Sequence, residues 1–84
     1  MSDKKSGLQR YELHYRAGKI ICNLRKSPES EVWIVHGRAE LEQDHIYFRR
    51  PIHIAEKFTN EDDAKNRLIE LAKKWIDDTL TEGR

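Results

Sequence analysis

Between residues 11 and 16 the side chains alternate strictly, with Tyr11, Leu13 and Tyr15 on one face of an extended chain and Glu12, His14 and Arg16 on the other. A period of two is that of a strand with one buried face. Ala17-Gly18-Lys19 can supply a tight turn, after which Ile20, Cys22 and Leu24 alternate with Ile21, Asn23 and Arg25 in a second strand. Ser27-Pro28-Glu29-Ser30 is a turn by its chemistry, because proline presets φ and serine hydroxyls bond nearby backbone groups. Val32-Trp33-Ile34-Val35-His36 reads as a third strand that is apolar on both faces, so period alone leaves its register open. The acidic, poorly periodic stretch from Gly37 to Asp44 reads as a connection, with a short helical turn through Ala39-Glu40-Leu41-Glu42. His45 to Arg49 resumes as a strand, Pro51 marks an edge, a bulge or a break, and Ile52 to Ala55 continues extended.

From Phe58 onward the period changes. Thr59 or Asn60 can cap a helix of about 20 residues, and Glu61, Asp62 and Asp63 place negative charge at the positive end of its dipole. Asp63 with Arg67 and Glu70 with Lys74 have the stabilising acid-before-base spacing, whereas Asp77 and Asp78 oppose the dipole. At 100° per residue Ala64, Leu68, Leu71, Ala72 and Trp75 form one stripe, and Ile69, Ile76 and Leu80 form a second beside it. The expected fold is therefore α+β: an antiparallel sheet of three to five strands followed by one long C-terminal amphipathic helix packed on one face. Residues 1–8 are expected to be a flexible tail, 9–80 the single domain and 81–84 a loose C-terminus.

That architecture predicts a shortage of cover. Four strands about 4.8 Å apart span roughly 19 Å, and one helix is about 10 Å wide. A second copy could hide what is left, so a homodimer is expected, with Ile69, Ile76 and Leu80 as candidate contacts to it or to another protein partner. The size of the chain points the same way, because 84 residues with 37 % charged and 37 % hydrophobic positions build only a small core.

Net charge is +1, which gives no global bias towards nucleic acid, but residues 1–26 carry +5 and the remainder is acidic. If Ile34 faces the core, the opposite sheet face collects Arg16, Arg25, Trp33, Tyr47 and Arg49, a basic face with aromatics on which unpaired bases could stack. Single-stranded nucleic-acid binding is thus the alternative to a non-catalytic protein-interaction module.

Other chemistry is thinly represented. His14, His36, His45, His53 and Cys22 lie in no short ligand pairing, so no metal and no cofactor is expected. Cys22 falls on an inward strand face, where a thiol serves as a small hydrophobe, and the scattered glycines form no phosphate loop, so no catalytic residue is assigned. A polar amino terminus without an apolar run, no stretch of membrane-spanning length and a lone cysteine suit the cytoplasm and no membrane contact.

The close of the sequence, with Ala72-Lys73-Lys74-Trp75-Ile76-Asp77 after the Phe58 to Ala64 cap, resembles the ending of small uncharacterised bacterial proteins that place a few strands before a helix finishing in AKxWID. The likeness covers about a quarter of the chain and reflects capping and packing, so it implies no activity. The order of strands followed by one helix is also similar to that of the whirly and transcriptional-coactivator single-strand DNA binders, a likeness of topology alone, which implies a dimer that holds single strands.

Overall fold

The computed structural model describes residues 8–82: β1 (Leu8–Tyr15), β2 (Gly18–Lys26), β3 (Trp33–Gln43), β4 (Ile46–His53) and α1 (Glu61–Glu82). The strands form one antiparallel sheet in the order β1-β2-β3-β4, and α1 packs on one face of it. Leu8 already belongs to β1, and Thr81 and Glu82 still belong to α1. The rest of the two termini expected to be loose lies outside the described residues.

Register fixes the two faces. Tyr11 stands opposite Cys22, Cys22 opposite Gly37, and Gly37 opposite Ile52, so the helix side collects Tyr11, Leu13 and Tyr15 from β1, Ile20, Cys22 and Leu24 from β2, Val35, Ala39 and Leu41 from β3, and Phe48 and Ile52 from β4. From α1 the fully buried residues are Ala64, Leu68, Ala72 and Ile76, a ridge of four-residue steps. Two alanines in that ridge let the helix axis come close to the sheet. Ile76, expected beside the main stripe as a contact for a second chain, is thus part of the monomer's own core. Ile69 and Leu80 are half-buried against it.

β3 runs unbroken for 11 residues through the stretch read as a connection. Ala39 and Leu41 face the core, while Arg38, Glu40 and Glu42 face away. Gly37 makes this possible: a Cβ there would lie 1.9 Å from the Ile21 carbonyl oxygen, so the neighbouring backbone occupies the space of a side chain. Its lack of a side chain also interrupts the apolar pattern that would have marked the strand.

The two hairpin turns avoid glycine. Arg16-Ala17 joins β1 to β2 with Arg16 at φ 56°, and Asp44-His45 joins β3 to β4 with φ 54° and 67°, the pair of positive values a two-residue type I′ turn requires. Asp and His tolerate that region better than most residues. Gly18, expected in the first turn, instead opens β2 opposite Tyr15, because a Cβ there would come 2.6 Å from the Glu40 carbonyl oxygen and 3.0 Å from Ile76 Cδ1. Between β2 and β3, Ser27 accepts from the Glu31 amide at 3.1 Å and donates its own to Val32 at 2.8 Å.

Asn60 caps α1, its Oδ1 accepting from the amides of Asp62 at 2.7 Å and Asp63 at 3.2 Å. The helix ion pairs differ from those the spacing predicts. Arg67 turns to Glu70 and to Glu56 of the preceding loop, and Lys74 turns to Asp78. Trp33 exchanges two backbone bonds with Phe58, which returns the chain from β4 to the sheet before the helix starts.

Cys22 is fully buried under α1, and burial pushes its thiol up to about 11. Unfolding releases it to an ordinary value near 8.5. Because the folded value is the higher one, this group's contribution, about 3 kcal/mol at most, is fully present below about pH 8.5 and is lost as pH rises towards 11. Alkylation of Cys22 at pH 8 is therefore expected to follow global unfolding, accelerating with urea in step with loss of circular dichroism. Labelling of the native protein at the rate of free cysteine would contradict this placement.

Candidate functional site

The helix lies over β2 and β3, and its two flanks are finished differently. On the β1 side, Tyr11 donates from its hydroxyl to Glu61 at 2.8 Å and Tyr15 donates to Asp77 at 3.0 Å. Lys65 and Lys73 sit over the same two rings at 4.4 and 5.1 Å. Arg16, held in the turn, donates to Asp77 at 2.7 Å, which together with the Tyr15 bond keeps this carboxyl below the usual range. Asp77 opposes the helix dipole and is kept there by these partners. That flank is closed, and Ile69 and Leu80 fall on it by helical angle.

On the β4 side no such ties occur among the described residues. A groove of about 310 Å³ separates edge strand from helix, with Ile52, Leu71 and Trp75 as its apolar lining and Arg50, His53 and Lys74 on its rim. Lys74 is matched by Asp78 at 3.5 Å. Arg49 and Arg50 are exposed and form no ion pair among the described residues, Arg49 lying over the Tyr47 ring at 5.9 Å. The strand beside the groove presents an unpaired edge, and Pro51 within it can lack a donor without breaking a central ladder.

The sheet face turned away from the helix is polar rather than bare. Arg10 and Lys19 both approach Glu12, at 3.9 and 3.6 Å, and Arg38 donates to Glu40, whose carboxyl is held low chiefly by that bond and also by Tyr47. Ile21 is sealed on this face, flanked in register by Glu12 and Arg38. An antiparallel sheet with one wetted face needs no second layer. On this face charged side chains supply most of the cover, with Leu8, Ile34 and Tyr47 left exposed among them, and on the helix side the β4 groove stays open.

The residues proposed for nucleic acid are not gathered on one face. Arg25, Tyr47 and Arg49 do face away from the helix, with Tyr47 at 55 % exposure. Trp33 is on the helix side, half-buried against the core, while Ile34 takes the outer face, the reverse of the register assumed above. Arg16 is committed to Asp77. A different row emerges instead: Arg10, Asn23, His36 and His53 are successive cross-strand neighbours, and Arg25 lies beside them between Leu8 and Ile34. None of these positions carries a carboxylate. The adjacency of His36 and His53 came from register, which the spacing of the histidines along the chain does not encode.

Among the described residues no cluster of His, Cys, Asp or Glu able to hold a metal occurs, and none of their helices is long and apolar enough to cross a membrane. Comparison with protein-family models, with curated proteins and with solved structures finds no match to this chain, so no activity or ligand is carried over from another protein.

Proposed function

We propose that this protein is a small non-catalytic interaction module that engages another polypeptide through the free edge of β4 and the groove between β4 and α1. The observation that carries the reading is the asymmetry of the helix flanks: one is tied down by Tyr11, Tyr15 and Arg16, and the other leaves Trp75, Leu71 and Ile52 lining an open cleft beside an unpaired strand. Self-association belongs to the same class of function, and β1 is the edge suited to it. About a two-fold axis at Tyr11, Arg10 stands opposite Glu12 of a second copy, so the charges match.

A photo-crosslinking residue at Arg50 is expected to capture one discrete partner in living cells, while the same group at Glu29, in the remote β2–β3 loop, captures none. Equal labelling at both positions, or none at either, removes the reading. Sedimentation equilibrium of the purified chain then separates a second copy from a different polypeptide.

One observation favours a second reading. The row of Arg10, Asn23, His36 and His53 with Arg25, none of them a carboxylate, suits the phosphates of a single strand, with only Arg10 drawn towards Glu12. Binding of oligothymidylate would fall steeply between 50 and 200 mM salt, whereas an apolar contact would not. A flat response, or no binding at low salt, ends this reading.

A further inference from the structure

We infer that the occupant of the β4 groove is an extended acidic peptide, added to β4 as a fifth strand, with one large apolar side chain seated against Trp75. The inference rests on the proposed function and adds the chemistry of the partner. A strand laid along a sheet edge alternates its side chains between the two faces. Beside β4, one set would enter the groove towards Ile52, Leu71 and Trp75, and the other would emerge next to Tyr47 and Arg49. Pro51 belongs on a strand edge with its nitrogen towards solvent, and period two gives Tyr47 and Arg49 the same direction, leaving their amides to donate to the incoming chain.

Volume and charge narrow the partner. About 310 Å³ accepts one large apolar side chain, not a row of them. The edge carries Arg49 outward, opposite a Glu40 already bonded to Arg38, with Arg50 on the groove side and His53 at the rim, and the one carboxylate lining the groove, Asp78, already faces Lys74. A second β4 is disfavoured for the same reason. Laid antiparallel about an axis at the middle of the strand, it brings one arginine pair against the other, and like charges directly opposite repel. Glutamate or aspartate flanking the anchor meets the same arginines favourably.

The test uses the full chain, isotopically labelled, and three acetylated nonapeptides of alternating pattern with a central phenylalanine, carrying glutamate, glutamine or lysine at the polar positions. The glutamate peptide is expected to shift the amides of Tyr47 to His53 and the indole of Trp75, and to bind about tenfold tighter than the glutamine peptide. In the variant Arg49→Glu with Arg50→Glu, both exposed and outside the core, preference should reverse to the lysine peptide. If the glutamine or lysine peptide shifts the same amides of the native protein equally well, the acidic assignment fails and the groove reading stands. If no peptide shifts β4 or Trp75 at about 1 mM, both fail. Oligothymidylate displacing the glutamate peptide from these amides would also overturn the assignment, in favour of a nucleic-acid ligand.

Discussion

Gly37→Ala is expected to lose about 3 kcal/mol or more, out of a total stability that for 84 residues lies near 4–12 kcal/mol, so that between about a quarter and most of the stability is removed. The added methyl carbon would sit 1.9 Å from the Ile21 carbonyl oxygen and 3.2 Å from Cys22 Cα. Both are backbone atoms of the central strand β2, which is held between β1 and β3 and cannot retreat without giving up a ladder. Gly18→Ala makes a useful contrast. Its closest backbone contact would be 2.6 Å, and it lies at the end of β2, where a small shift disturbs less. Urea denaturation followed by circular dichroism should therefore rank Gly37→Ala well below Gly18→Ala, and a Gly37→Ala midpoint equal to that of the native protein would mean that β2 and β3 are not so closely apposed.

The same glycine explains much of what the sequence conceals. β1 and β2 are legible because Tyr11, Leu13, Tyr15 and Ile20, Cys22, Leu24 keep a period of two with large side chains, and α1 is legible through its Asn60 cap and its apolar arc. The second half of β3 obeys the same period, with Gly37, Ala39 and Leu41 alternating with Arg38, Glu40 and Glu42. Two of its three inward residues are too small to register as apolar, however, and Ala, Glu and Leu favour helices in isolation. Tertiary pairing on both sides overrides that preference. Small residues at alternate positions are the signal that this half of the strand keeps. The face carrying Trp33 was not recoverable, since Val32 to Val35 are apolar at both parities and the choice is made by pairing with Lys26 and Phe58.

The site is legible to a lesser degree for a related reason. Sequence gives Trp75 and Leu71 on an apolar stripe, but whether a stripe is covered depends on where the helix crosses the sheet. That crossing is set by contacts between distant residues: Tyr11 with Glu61, Tyr15 and Arg16 with Asp77, and Gly18 beneath Ile76. These ties close the β1 flank of α1, and no such tie joins α1 to β4 among the described residues. The charges tell a similar story. Segment totals show a basic amino-terminal third and an acidic helix, but not that Arg16 and Asp77 neutralise each other across the two while Arg49 and Arg50 have no such partner among the described residues.

Ile76→Ala tests that crossing directly and is expected to cost about 3–4 kcal/mol, the usual range for emptying a well-packed aliphatic site. Ile76 has no exposed surface and lies at the C-terminal end of the buried ridge, where its Cδ1 fills the space above Gly18. Leu80→Ala, one turn later and half-buried, should cost much less, about 1 kcal/mol. Were Ile76 instead a contact to a second chain, the cost of its truncation would grow with protein concentration, because dissociation would be linked to unfolding. Burial within the monomer predicts that the difference between the native protein and the variant does not change with concentration. Combining Ile76→Ala with Gly18→Ala adds a finer check. The new methyl enters the vacated space but still meets the Glu40 carbonyl, so the pair should be less destabilising than the sum of its parts and yet worse than Ile76→Ala alone. Strict additivity would place the helix farther from the opening of β2 than Cδ1 of Ile76 allows.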